Sequence, residues 1–428
     1  PRLTQPLRSA TRLSAYALAD RWRSYLPQFR FAQMLEAALA VLVIFLFSSA
    51  LLSQIFDGGE EGSPILRLIW PPVYLLTLIL ILMRPVPVLG LMALAWSLMV
   101  LAALPMVSAL WSLDPGLTLR RGLGVLFPAL FGLWMASRFS WRDLIRLLAL
   151  SLAVLAIGSL IMSVVFPGYG VMREIHPGAW SGLWFEKNRM GAVMALAAMS
   201  GMAAAFNTPH RREVRYWGGL VILAVFLVLM STSKTALMAC MIGVAGPVMI
   251  YVVRQGFILA ALAIFSALMG LFALTLVIAI GPGVILEALG RDPTLTGRTD
   301  IWIGLLQAVQ MRPWTGFGWG VFWLVEDGPV FWLRQATQWE VPSAHNSWLE
   351  IALALGLPGV AWAGLVYLVG LVSATKRLFS GVEAYWALPA MAVWGLTSMS
   401  ESIFMTTNGF TWTLFCITFS KLASRREA

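Results

Sequence analysis

Charge is scarce: only 12% of the 428 residues are Asp, Glu, Lys or Arg, about half the share of an ordinary soluble chain, while 59% are hydrophobic. That balance excludes a water-soluble globule. Cysteine is nearly absent, and Cys240 and Cys416 both fall inside apolar runs, which leaves no disulfide framework and no Cys-based metal site. Both read as small buried hydrophobes. The three histidines, His176, His210 and His345, are too few for a metal centre, so neither metal nor cofactor is expected. Period-two alternation is also missing, which argues against an outer-membrane barrel. No internal repeat or low-complexity tract is seen.

What the chain does have is a series of apolar runs of about 17 to 25 residues, each long enough for one helix to cross roughly 30 Å of hydrocarbon. The expected fold is therefore an all-α polytopic membrane protein of about twelve spans. They are placed at 32–56, 68–83, 86–108, 118–138, 143–166, 190–206, 216–232, 235–253, 256–280, 347–372, 384–400 and 403–424. Pro71 and Pro72 are expected to interrupt the second. Residues 1–31 contain Arg2, Arg8, Arg12, Arg21, Arg23 and Arg30 without a cleavable signal, and read as a basic cytoplasmic arm. Spans one to nine then fill 32–280, with a periplasmic segment at 167–189. A large periplasmic loop with short helices occupies 281–346, and 347–428 holds the last three spans and a tail.

With the amino terminus inside, the cytoplasmic side collects 19 of the 30 basic residues against six of the 20 acids. This is the asymmetry of the positive-inside rule, and it accounts for the +10 net charge without nucleic acid. The basic residues left on the outer side need another reason. Arg67, Arg120 and Arg121 lie at span boundaries, where snorkelling to headgroups suffices. Lys187, Asn188 and Arg189 open a span after the polar, turn-rich stretch from Arg173 to Gly178. A folded cap there would set the two cations near helix amino-terminal amides, a favourable place for an anion, although Trp184, Lys187 and Arg189 could also be interface anchors. Lys234, in Ser231-Thr232-Ser233-Lys234, sits in a hairpin with hardly any loop, costly at membrane depth without a cleft or counter-charge. Arg291 could pair with Asp292 on the surface, and Thr299 or Asp300 could cap a helix to about Gln310, but neither explains Arg298. An arginine fork holds two phosphate oxygens at once.

The glycines of Pro313 to Phe322 follow no strand and lack nucleotide-binding spacing. With their aromatics they could form a membrane-surface ledge or a sugar-stacking wall. His345 stands where a span begins from the outer face, as an interface residue or as a base near neutral pH, with Asn346 or Glu350 able to orient it.

Taken together, these residues resemble the O-antigen ligase and polymerase superfamily, polytopic inner-membrane glycosyltransferases of the GT-C type. The resemblance covers roughly residues 180–362. It rests on Lys187-Asn188, Ser231 to Lys234, Gly297-Arg298-Thr299-Asp300-Ile301-Trp302, Arg312 to Gly318 and His345-Asn346 with Glu350, Gly356 and Gly359 beyond. Within it, Leu289–Trp302 and Arg312–Trp323 are similar to Wzy-type exopolysaccharide polymerases, with the O-antigen ligase sharing the same skeleton. Lys234 stands where ligases and many polymerases have arginine, so a two-pronged phosphate grip is lost at that position.

The resemblance implies metal-independent, inverting transfer of a glycan from undecaprenyl diphosphate to an acceptor sugar hydroxyl at the periplasmic face of the inner membrane. It implies His345 as base, Arg298, Arg291, Lys187, Arg189 and Lys234 on the diphosphate, and Asn188, Asn346 and Glu350 in support. Chain-length regulators or flippases are conceivable partners beside the carrier-linked glycan, the acceptor glycan and membrane lipid. The rival classes are a transporter, whose marks would be internal repeats and matched broken helices, and a scaffold in an export complex.

Overall fold

The computed structural model describes residues 27–52, 64–174, 176–262, 265, 269, 298–324, 328–337, 341 and 343–424, with 27–31, 64–67, 298–300 and 336–337 described by backbone alone. Most of the basic arm, most of the ninth expected span and Arg291 lie outside these residues.

The described chain is helical, with one isolated antiparallel bridge from Val171 to Trp180. In order come α1 (Pro27–Phe47), α2 (Pro64–Leu82), α3 (Pro85–Leu94), α4 (Trp96–Val107), α5 (Pro115–Arg138), α6 (Trp141–Val165) and α7 (Lys187–Phe206). They are followed by α8 (Arg211–Met230), α9 (Lys234–Val253), α10 (Arg298–Met311), α11 (Pro329–Thr337), α12 (Ser347–Thr375), α13 (Ala384–Ser398) and α14 (Phe410–Ala423). Local chemistry sets several starts. Asp114 caps α5 through Leu117 N–H with Pro115 behind it, Ser140 caps α6 through Asp143 N–H, and Ser233 caps α9 through Ala236 N–H.

Six of these helices, α5 to α9 and α12, are long and apolar enough to cross a membrane, and the bent pair α2–α3 would make seven. The expectation of twelve full spans is not reproduced among the described residues. Two causes are visible. The run expected at 86–108 is broken at Ala95 into α3 and α4, and α2 and α3 meet at 100°. The last two runs are not joined by a tight turn: an irregular loop from Met399 to Gly409 consumes their middle and shortens both helices. Phe404, Met405 and Asn408 of that loop are buried, with Met405 and Asn408 in the left-handed region. Non-helical backbone of this kind is tolerated where protein encloses it. Conversely, Pro71 and Pro72 do not interrupt α2, which runs through them. Broken helices are thus present, at Ala95, between α2 and α3, and at Gly356 of α12 (φ 69°, ψ −173°).

Small residues let α7 approach its neighbours closely. Gly191 abuts Ala236 and Ser231, and Gly201 abuts Val221 and the Trp217 carbonyl, so α7 lies inside a group formed by α6, α8, α9 and α13. On the other flank Gly132 of α5 faces the backbone of Cys416 and Ile417 in α14. Cys240 and Cys416 are both buried and unbridged.

A second, smaller core forms over α12, where Ile301, Leu305, Phe317, Phe322, Val330 and Leu333 pack with Ala344, Ala352 and Leu353. The break at Gly356 locks the two cores together. Leu353 and Ala354 carbonyls, freed by the break, accept from Phe317 N–H (2.7 Å) and Gly318 N–H (3.1 Å), and the Leu357 N–H donates to Pro313 O (2.7 Å). Any side chain at Gly316 or Gly356 would meet the opposing backbone at 2.5 to 2.6 Å. Gly316 therefore serves backbone-to-backbone packing, Gly318 and Gly320 make room for Ser112 and Arg121, and Trp314 stays exposed.

Candidate functional site

Among the described residues, Lys187, Asn188, Lys234 and His345 lie at one end of the bundle. His345, in the left-handed region (φ 48°), lies between Ala344 and the amino terminus of α12. Its Nδ1 is 3.3 Å from Glu401 Oε2 in the Met399–Gly409 loop. An Nδ1–H donated to that carboxylate leaves Nε2 with its lone pair, the arrangement of an oriented base. Glu401, and neither Asn346 nor Glu350, is the group that touches the imidazole.

Asn346 does something else. Its side-chain oxygen accepts from Trp348 N–H (2.9 Å) and Leu349 N–H (3.2 Å), capping α12, while its amide donates to Met399 O (3.2 Å). Glu350 accepts from Ala344 N–H (2.7 Å) and Ser402 Oγ (3.1 Å) on one oxygen and from Trp323 Nε1 (2.8 Å) on the other. Trp302 Nε1 donates to Ala344 O (2.9 Å). Ala344, the residue before His345, is thus held at both its N–H and its C=O. Ser347 completes the arrangement, donating to Glu401 O (2.7 Å) and accepting from Ile403 and Phe404 N–H (3.0 Å each).

A cleft between α7, α9, α13 and the start of α14 is lined by Glu401, Asn188, Ser233 and Thr411 together with the apolar Ala192, Leu196, Ala236 and Ala239. Lys187, next to Asn188, donates to Thr232 Oγ1 (3.2 Å) and feels the like charge of Lys234, which is exposed beside Ser233. Neither lysine has an acidic partner among the described residues. Two neighbouring ammonium groups without a carboxylate favour an anion between them. Arg189, in the first turn of α7, is half-buried. Arg298 begins α10, and its Cα lies one turn before Trp302 on the helix face that docks against Ala344.

Two sequence expectations need correction. Trp184 is no interface anchor: it is fully buried and its indole donates to Ser48 O (2.7 Å), part of the way residues 167–186 fold onto the ends of α1, α6 and α8. Arg121 does not snorkel, since its Nη1 donates to Gly320 O and ties α5 to the glycine-rich loop. Glu401 was missed because it stands between two apolar runs as a lone acid in Ser400-Glu401-Ser402, a signal that spacing could not link to His345 across 56 positions.

Comparison with known proteins bears on this geometry. Residues 219–364, which contain α9 to α11, the Ser233-Lys234 cap and His345, match the family model described as O-antigen ligase. The chain is also 26% identical over 291 residues to the exopolysaccharide production protein ExoQ of Rhizobium meliloti (strain 1021), a match covering 64% of each chain. The matched segment holds Lys234 and His345, whereas Lys187, Asn188 and Glu401 lie outside it, and over residues 219–364 the chain is similar to the O-antigen ligase family.

Proposed function

We propose that the protein is an inner-membrane glycosyltransferase that moves a glycan from undecaprenyl diphosphate to an acceptor sugar hydroxyl at the periplasmic face, without metal or nucleotide sugar. The observation that carries this is the shared cleft: Glu401, which holds His345, lines it together with Asn188 and Ser233, the neighbours of Lys187 and Lys234. In this reading base and cations reach the cavity through those neighbours, His345 beside Glu401, Lys187 beside Asn188 and Lys234 beside Ser233.

In this reading His345 Nε2 accepts the acceptor hydroxyl proton as that oxygen attacks the anomeric carbon, and Glu401 steadies the imidazolium that forms. A sugar hydroxyl is a poor nucleophile until a base takes its proton. Lys187, Lys234, Arg189 and, from α10 and the segment before it, Arg298 and Arg291 meet the charge growing on the departing diphosphate. The apolar walls below the lysines suit the first units of the prenyl chain. One displacement in line inverts the anomeric centre.

The acceptor is proposed to be another carrier-linked repeat unit, as in exopolysaccharide polymerisation. The name of the relative, an exopolysaccharide production protein, supports a polymerase over a ligase that joins glycan to lipid A core. The deciding experiment incubates purified, reconstituted protein with carrier-linked repeat units alone. Lengthening products are expected. Transfer that begins only when lipid A core is added would make it a ligase, and no transfer in either mixture would overturn the proposal.

A further inference from the structure

Hydroxyl groups buried in the helices of this bundle commonly bond locally. Ser151 donates to Leu147 O, Ser200 to Leu196 O and Thr397 to Val393 O, each one turn back along its own helix. Ser347 does not. It stands in the first turn of α12 with no exposed surface, where Asn346 has already taken the capping role. Its hydroxyl leaves the helix altogether, donating to Glu401 O at 2.7 Å and accepting from Ile403 N–H and Phe404 N–H at 3.0 Å each. A serine hydroxyl has one proton and two lone pairs, so its whole capacity is committed to residues 401–404 of the Met399–Gly409 loop.

The consequence lies two residues upstream. His345 Nδ1 meets Glu401 Oε2 at 3.3 Å, longer than the ~2.9 Å of an ordinary N–H···O bond, so that contact by itself holds the loop weakly. The loop is irregular, with Met405 and Asn408 in the left-handed region. Its flanking ties to the start of α12 carry one bond each: Asn346 to Met399 O (3.2 Å), the Trp348 indole to Ser398 Oγ (3.1 Å) and Ser402 to Glu350 (3.1 Å). Ser347 instead bonds the Glu401 backbone directly and the two amides that follow it. Moving Glu401 away from the imidazole therefore means breaking the bonds of a residue two positions from His345.

We propose that Ser347 is a positioning residue for the transfer reaction: its hydroxyl sets Glu401 Oε2 against His345 Nδ1 and so fixes the direction in which Nε2 meets the acceptor hydroxyl. The inference rests on the function proposed above. A glutamate side chain has several rotamers, and it orients a ring reliably only when its backbone origin is held to within about 0.5 Å. A serine that served stability alone would cost melting temperature when removed and leave kcat per folded molecule unchanged.

The test measures glycan transfer and amide hydrogen exchange on the reconstituted full chain. Ser347→Ala should lower kcat per folded molecule by roughly tenfold to a hundredfold, the larger figure being the cost of a misplacement of about 1 Å. The KM for carrier should stay within about twofold of the wild type. Exchange at the Phe404 amide, which loses its acceptor, should quicken. Ser151→Ala deletes a buried hydroxyl on α6 and should leave kcat unchanged. Ser347→Cys fills the same space with a weaker donor and acceptor, so it should fall between wild type and alanine, and it carries the comparison if the alanine variant does not fold. In a double-mutant cycle, Ser347→Ala should add less than about twofold to the loss caused by Glu401→Gln, because a residue acting through Glu401 then has nothing left to position. Losses that multiply overturn the proposal, as do wild-type kcat in the Ser347 variants, a KM effect alone, an equal loss in Ser151→Ala or unchanged exchange at Phe404. A wild type that transfers no glycan removes the reading of function and this inference with it, whereas an active wild type with a neutral Ser347→Ala overturns this inference alone.

Discussion

The two ends of the bundle handle charge in opposite ways. At the end away from His345, cations that enter the interior find acceptors: Lys421 closes the carboxy-terminal carbonyls of α5, Arg377 those of α14, and Arg138 neutralises Glu36. At the His345 end, carboxylates and cations are kept apart. Glu350 is satisfied by N–H and O–H donors, Glu401 by the imidazole, and Lys187, which donates to the Thr232 hydroxyl, feels the like charge of Lys234. The first end gives partners to the cations it buries and leaves the others in the open. The second leaves positive charge unmatched beside a base, an arrangement that makes physical sense only when an anion arrives.

Variants can break this contrast. His345→Ala should have the largest effect, lowering transfer in the reconstituted assay by roughly 10³-fold, the scale of general base catalysis, with the melting temperature unchanged; retained turnover would remove His345 from the base role. Glu401→Gln removes the charge that steadies the imidazolium and should cost on the order of 10²-fold in kcat, with little change in the KM for carrier. A KM effect alone would assign Glu401 to substrate binding instead.

Lys421→Met tests the other end. Carbonyls of Ala136 and Phe139 lose their donor inside the bundle, so thermal unfolding in detergent should show about 2 kcal/mol less stability, while kcat stays at wild-type level. A loss of activity greater than the loss of folded protein would mean that the two ends are coupled. Smallest is Lys187→Gln, expected to raise the KM for the carrier about tenfold with kcat nearly intact, since one charge-assisted contact is worth about 1.5 kcal/mol. An unchanged KM would show that the lysine pair is not the diphosphate site.

The helices were legible because each apolar run has the length and composition of a span and flanking residues such as Asp114, Ser140 and Ser233 cap them. His345, Asn188 and Lys234 were legible because polar groups at the rim of apolar runs stand out. Three things were not. Composition cannot report that Gly356 breaks α12, because Leu355 and Leu357 around it are as apolar as a continuous span. Length alone could not show that eleven residues after Ser398 form a folded loop rather than helix. The hydrogen bond from Arg121 to Gly320 joins residues 199 positions apart, and no local pattern records it.

Sequence by itself determined that this chain dwells in a bilayer, which segments become helices, and which rare polar side chains must answer for their location, because hydrophobicity and capping act over a few residues at a time. Tertiary structure alone decided that Glu401 would meet His345, that Glu350 and Trp302 would fix Ala344 before it, and that Glu401 would line one cleft with Asn188 and Ser233. Those meetings depend on how helices cross and where their backbone is interrupted, a balance of close packing and hydrogen-bond satisfaction summed over the whole molecule.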